Sequence, residues 1–462
     1  MAATALKFPV ILFSLMCLIH IHANGQDSVL EQYIREGLEN NLTLRQRQDS
    51  IQLKVADLKA AKGMFLPDVS LNARYTVASG GRTIDFPVGD LLNPIYQNLN
   101  VLDQHLALPV GPFPEDVPNM EFYFYRPYEQ ETKLQLIQPI ISPQLIFNRR
   151  IRSKLLNAEL SNTQAYKRIL VAEVKAAYYN YMKTIEVNTV LDNTRKLLEE
   201  NIRVNESLFK NNKVTIDNVY RSKAELSKLE KNKAVAVKQQ KMASAYFNFL
   251  LNRPFGTPIV TEKDSMEILP VATLDAAIDE ALTNREELTV LKQYESAATD
   301  ATKLTRSNKY PSVLAAVNYG IQGEKYSFTA NDDFVLASVV LQWNLFKGFQ
   351  NDAKIQKSKI KEDILKNKYD EVSLQIKLQV TEAWYGLEAA GKAIDASAEQ
   401  LQSAKKGYEI VERKYSEGQA NLLEYIDARN NYTTASVNLI MAHYDYRIQY
   451  AEYEQVTGLY QF

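Results

Sequence analysis

Glu424 and Asp427 stand three positions apart, so on a helix they share one face and present two carboxylates together. Such a pair can draw cations, or it can simply occupy a helix's first turns, where the backbone dipole favours negative charge. Nothing else in the sequence assembles catalytic chemistry. His20, His22 and the sole cysteine, Cys17, lie within residues 1–25, which read as a removable signal, and His105 and His443 are far apart, which argues against a histidine or thiolate metal centre. Neither a glycine-rich phosphate loop nor a nucleophile elbow occurs. Lys plus Arg number 54 against 55 for Asp plus Glu, so no basic field asks for nucleic acid. Composition thus argues against an enzyme, and no cofactor is expected.

The elements that must position the two acids are long helices. From Gln144 to Arg253 the chain has neither proline nor glycine, and Gln350 to Thr457 also lacks proline. Apolar residues step by three and four through Leu401, Ala404, Tyr408, Val411 and Tyr415, then through Ala428, Tyr432, Ala435, Leu439, Ala442 and Tyr446. That spacing predicts both limbs of a helical hairpin with coiled-coil packing. The reversal falls near Gly418, which enters the left-handed region at little cost, and the matching residue earlier in the chain is Asn212, the next most tolerant type. The tyrosine runs Tyr178-Tyr179-x-Tyr181 and Tyr444-x-Tyr446 read as packing layers of these helices.

The matching residue exists because the chain is a duplication. At an offset of 244, Leu30 falls on Leu274, Ile34 on Ile278, Asn40 on Asn284, Pro67 on Pro311 and Tyr75 on Tyr319. Further on the offset drops to 205 or 206, aligning Leu136 with Leu341 and Val174–Tyr179 with Val380–Tyr385. The first copy therefore holds roughly 38 extra residues. Residues 26–253 form the first repeat, 254–271 a linker and 272–462 the second.

Each copy opens with a helical stretch, such as Ser28 to Lys62, and proceeds to strands. After Pro67, Val69, Leu71, Ala73, Tyr75 and Val77 alternate with polar residues; Glu131 to Ile140, Pro311 to Gln322 and Phe334 to Phe346 supply three more strands. A soluble sandwich would show the same alternation. Strands of about 10 residues also suit a tilted membrane crossing, with Tyr75, Tyr319 and Trp343 available as interfacial aromatics. Four strands cannot close a barrel, so in lipid the chain must oligomerise, and strand arithmetic permits a dimer or a trimer. The extra residues lie within Gly80 to Pro127, which carries seven of the 15 prolines and reads as a long irregular loop facing the cell exterior.

Residues 1–25 read as a secretory signal peptide: Lys7, an apolar run from Phe8 to Ile21, and Ala23-Asn24-Gly25. The run falls short of the roughly 20 residues a spanning helix needs. Met16 stands where lipidation at Cys17 would want a small residue, so no lipid anchor is expected.

At this point the chain resembles the TolC-like outer-membrane efflux proteins, over essentially all of its sequence after the signal. Ala281-Leu282-Thr283-Asn284 to Leu288 resembles the family's helix-opening motif, which Gly37 to Leu44 repeats with Gly37 departing. Pro67 and Pro311, Tyr415-x-x-Gly418 followed by Glu424-x-x-Asp427-Ala428, and Tyr444-x-Tyr446 leading to Val456-Thr457-Gly458 complete the likeness.

The resemblance implies a mixed α/β membrane protein in which four strands per chain contribute to a trimeric 12-stranded outer-membrane barrel, continued by a long α-helical coiled-coil periplasmic tunnel. It implies an exit duct that partners a periplasmic adaptor and an inner-membrane pump. Glu424 and Asp427 would form an acidic ring at the pore entrance, although the family's first acid is usually Asp. Asp217, Asn218, Arg221 and Tyr415 would hold the closed tip, and the turns at Asn212 and Gly418 would contact the adaptor. The alternative of a periplasmic coiled-coil adaptor or scaffold leaves the strands unused.

Overall fold

Pro67 and Pro311 do open strands in the computed structural model, which describes residues 28–106, 110, 112–262, 267–326, 329 and 332–460. The signal-peptide reading and Cys17 lie outside the described residues. The chain divides into two compact units that cut across the repeats: one holds residues up to Gln48, Thr163–Glu286 and Ser373 onward, the other Asp49–Asn162 and Glu287–Val372.

In the second of these units, β1 (Asp68–Val77), β4 (Tyr128–Ile141), β5 (Ser312–Gly323) and β6 (Asp333–Gln342) form one antiparallel sheet in the order β1-β4-β5-β6. Register places Leu71, Leu134, Tyr319 and Val335 in one row, and Val69, Leu136, Val317 and Ala337 in another on the same face. This face is apolar yet bare, with Leu71 72% and Val339 75% exposed. The opposite face is polar along β1 and much of β4 and β5, and carries Phe334, Leu336 and Val340 on β6. There Arg74 and Lys133 both pair with Glu131, at 3.3 and 2.6 Å. Gly320 sits beside Lys133 because a Cβ would come within 2.4 Å of the Thr132 carbonyl and 2.6 Å of the Lys133 Cβ.

The stretch 80–127 is not irregular, as its prolines suggest, but built. It contains the hairpin β2 (Thr83–Phe86) and β3 (Met120–Tyr123), with α3 (Val88–Leu106) between them. Pro94 lies inside α3, and the helix is held despite it by side-chain amides that imitate backbone. Asn93 accepts from Val117 N–H at 2.7 Å and donates to its carbonyl at 3.1 Å; Asn100 treats Phe113 likewise, at 2.8 and 3.0 Å. The two asparagines are seven positions apart, two helical turns, so both face the returning segment.

In the first unit, the opening helical stretch breaks at Asn41 into α1 (Val29–Asn40) and α2 (Leu42–Gly63), the latter running on into the second unit. The buried Asn41 amide explains the break: Oδ1 accepts from Leu44 N–H at 3.0 Å, while Nδ2 donates to the Leu250 carbonyl at 2.9 Å. The second copy breaks in the same place, between α6 (Leu274–Asn284) and α7 (Glu286–Ser307). Tyr33, Ile34, Leu44, Val174, Tyr178, Phe247, Leu251 and Tyr444 form one core. Gly37 meets it closely: a Cβ there would approach Leu251 and Val174 to 3.3 Å, where the second copy accepts Ala281. Tyr178, Tyr444 and Tyr446 are buried as packing residues. They also fasten the linker, since Glu262 N–H donates to Tyr178 Oη at 3.1 Å and Leu269 N–H to Tyr446 Oη at 3.0 Å.

Candidate pore entrance at the helical hairpin turns

The helices α4 (Pro143–Lys210) and α5 (Ile216–Leu250) form one hairpin, α8 (Gln350–Ser416) and α9 (Leu422–Thr457) the other. Both turns use one device. Asn212 has φ 56° and Gly418 φ 72°; Lys213 N–H returns to the Leu208 carbonyl and Gln419 N–H to that of Lys414, at 2.9 and 2.8 Å. This six-to-one bond through a left-handed residue closes the carbonyl end of a helix that would otherwise leave acceptors unpaired. The anticipated left-handed turns are therefore present in both copies.

Past the second turn, Asn421 caps α9. Its Oδ1 accepts from Glu424 N–H at 3.0 Å, and its amide donates to Glu424 Oε1 at 2.6 Å. Glu424 is thus tied into a capping arrangement, while Asp427 accepts from Asn431 at 3.2 Å; both acids are exposed. On the first hairpin, Arg221 pairs with Asp217 on its own helix at 3.4 Å, with both side chains more than half exposed. Asp217 also accepts from the Thr215 hydroxyl. Within the chain, Arg221 and Asp217 therefore find each other, and Asn218 bonds through its backbone to Thr215.

Tyr415 does cross between hairpins, donating from Oη to Asn205 Oδ1 at 2.8 Å. It stacks on Tyr425 at 4.9 Å, and Tyr408 stacks on Tyr432 at 5.5 Å. The aligned residues of the first copy, Phe209, Val219, Ile202 and Leu226, lack hydroxyls, so this layer is polar-edged on one hairpin alone. Burial raises the Tyr408, Tyr415 and Tyr425 hydroxyls above the usual tyrosine range; Asn205 partly offsets it at Tyr415.

Arg429 lies beneath this layer, buried, with Nη2 3.0 Å from Glu225 Oε2 on α5. Burial pulls its guanidinium below the ordinary arginine range, and Glu225 opposes that pull. Sequence reasoning passed over this pair. A signal was present: Leu422, Tyr425, Arg429 and Tyr432 step by three, four and three, so Arg429 stands on the apolar stripe.

Of the aromatics expected at a membrane interface, Tyr75 stacks on Tyr326 at 6.3 Å and Trp343 donates from Nε1 to the Lys309 carbonyl at 3.0 Å. Tyr75 and Trp343 lie toward opposite ends of the sheet, with Tyr319 in a row between.

Residues 277–459 match the family model of the outer membrane efflux proteins. The fold is shared with solved outer-membrane channels. The chain superposes on the outer-membrane channel OprN with a TM-score of 0.75 at 15% identity, covering 93% of this chain and 90% of that one. For the Campylobacter jejuni CmeC outer membrane channel the TM-score is 0.73 at 14% identity, covering 93% and 85%. The open state of the Neisseria gonorrhoeae MtrE channel gives 0.72 at 16%, covering 93% and 88%. No curated protein sequence matches the chain.

Proposed function

From an outer membrane efflux protein domain over residues 277–459 and a fold shared with outer-membrane channels, we propose that three copies of the chain form an exit duct through the outer membrane. The sheet carries this reading. One face is apolar and exposed, and among the described residues β1 and β6 have no outer neighbour. In lipid each unpaired edge would leave backbone groups without partners, so β6 of one copy must join β1 of the next. Three copies give twelve strands and put the apolar face toward lipid and the Arg74–Glu131–Lys133 face toward the lumen. The hairpins then extend into the periplasm as a tunnel. Substrate passes unchanged, delivered by an inner-membrane pump through an adaptor seated at the Asn212 and Gly418 turns.

At the tunnel entrance, Glu424 and Asp427 from three copies ring the pore and favour cations, since fixed charge in a narrow low-dielectric neck concentrates counter-ions.

Surface labelling tests the topology. An epitope tag between Leu106 and Met120 should be reachable on intact cells, and one at Gln419 only after the outer membrane is opened. The chain should also run as a trimer from membranes unless heated. Recovery as a soluble periplasmic protein would overturn the duct in favour of a coiled-coil scaffold.

A further inference from the structure

The end of the sheet where the strands hand over to helices is dressed in two unlike chemistries. One is aromatic. After β6 the chain reads Trp343-Asn344-Leu345-Phe346-Lys347-Gly348-Phe349, and Leu345, Phe346 and Phe349 are 79, 72 and 74% exposed. Phe346 and Phe349 meet edge to face at 5.5 Å. Gly348 has φ 54° and Phe349 φ 60°, a left-handed conformation that a bulky residue rarely adopts. The chain accepts that strain and turns three large apolar side chains outward together.

The other chemistry is cationic. Windows 59–68, 143–154, 303–312 and 343–361 flank the strand ends, and Asp68 and Asp352 are their only carboxylates. Asp352 is already engaged by Lys309 at 2.6 Å. Arg149 lies over the Phe65 ring at 5.7 Å and Arg150 over Phe147 at the same distance, so both guanidiniums ride on apolar surface. Arg306, Lys347 and Lys354 are exposed and have no ion pair among the described residues.

Apolar side chains beside a carboxylate-poor basic band match a surface with hydrocarbon on one side and anionic headgroups on the other. We propose that this junction is a lipid collar: Leu345, Phe346 and Phe349 take acyl chains, while Arg149, Arg150, Lys347 and Lys354 hold the phosphates of acidic glycerophospholipid in the leaflet facing the helices. It rests on the duct reading, which puts the sheet in the membrane. The collar adds a specific lipid class as partner and fixes the depth at which the barrel sits.

The test compares lipid retention by the detergent-extracted trimer, read by native mass spectrometry after incubation with phosphatidylglycerol or phosphatidylcholine. Wild type should retain phosphatidylglycerol in at least about fivefold preference, the factor supplied by about one basic residue near an anionic surface. The variant R149Q/R150Q/K347Q/K354Q should lose the preference while remaining trimeric. A matched set on α5, K228Q/K231Q/K238Q/K241Q, should keep it. Replacing the wedge with F346S/F349G should lower retention of both lipids. A trimer without preference, an R149Q/R150Q/K347Q/K354Q variant that keeps it, or retention of lipopolysaccharide in place of phosphatidylglycerol would overturn the collar alone. A chain recovered as a soluble monomer would overturn the duct and the collar together.

Discussion

Arg429 on α9 and Glu225 on α5 form a buried ion pair at 3.0 Å that joins the second repeat to the first, with Arg429 only 1% exposed. Arg429 Nε and Nη1 have no partner among the described residues, so Glu225 supplies most of what offsets the buried charge, helped by Asn430 at 2.8 Å. Removing the carboxylate alone should be far worse than removing both groups. Glu225→Ala is expected to destabilise the protein by about 3 kcal/mol, because it strands a cation in a low-dielectric site. The double variant R429M/E225M should cost much less than the sum of the single changes. Chemical unfolding of the four proteins in a double-mutant cycle measures this; additive losses would mean that the pair is not coupled.

The acidic pair calls for a substitution that separates charge from capping. Because Glu424 accepts the Asn421 amide at 2.6 Å, alanine there would remove a cap contact as well as a charge. E424Q/D427N keeps an acceptor and removes the charges. In planar bilayers its cation preference should fall and block by trivalent cations should weaken, with the trimer intact. Unchanged selectivity would make both acids ordinary helix-start residues. Arg221→Ala should leave stability within about 0.5 kcal/mol, since an exposed pair such as Arg221–Asp217 contributes little. A conductance rise in that variant would show that Arg221 latches the tip in the trimer.

The turns give a direct backbone test. Gly418 has φ 72° with open space where a Cβ would be, so Gly418→Ala suffers only from its conformation and should cost about 1–2 kcal/mol. Asn212→Gly, at φ 56°, should change stability by no more than a few tenths of that, in the favourable direction. Thermal melts of the two variants should therefore move unequally and in opposite senses.

Much of this was legible in the sequence, for identifiable reasons. The period-two run from Val69 to Val77 and the three-four stripe from Leu401 to Tyr415 express local geometry, and duplication supplied a second reading of each. Asn212 and Gly418 were legible because few residue types tolerate a left-handed turn. The helix α3 was not, since Pro94 and its neighbours signal a breaker, whereas what holds the helix is a return segment bonded by Asn93 and Asn100. Long-range pairing of that kind leaves no periodic trace. Arg429 was missed because charge ordinarily means solvent, and its burial depends on Glu225, 204 positions earlier. The Arg221–Asp217 pair shows the converse: a local i,i+4 match was available, and the single protomer uses it.

The tyrosine layer makes stability pH-dependent, and the sign can be worked out. Burial holds Tyr408, Tyr415 and Tyr425 in the neutral form, raising each above its unfolded value. A group whose folded pKa is raised contributes stability that is complete below the unfolded pKa, about 10 for tyrosine, and is lost as pH rises toward the folded value. The hairpin of α8 and α9 should hence hold to about pH 10 and loosen above it, while acid down to neutrality leaves this contribution untouched. Tyr408 is the place to probe, for its hydroxyl donates to Glu412 at 2.8 Å and sits 3.4 Å from that of Tyr425. Deprotonation would set a phenolate against a carboxylate. Tyr408→Phe removes the ionisable group and keeps the ring stacked on Tyr432, so its alkaline loss of helicity should begin at higher pH than in wild type. Phenolate absorbance followed alongside circular dichroism should show this layer ionising late and together with unfolding. If the variant and wild type lose helicity at the same pH, the layer is held by ring packing alone and its hydroxyls contribute no alkaline sensitivity.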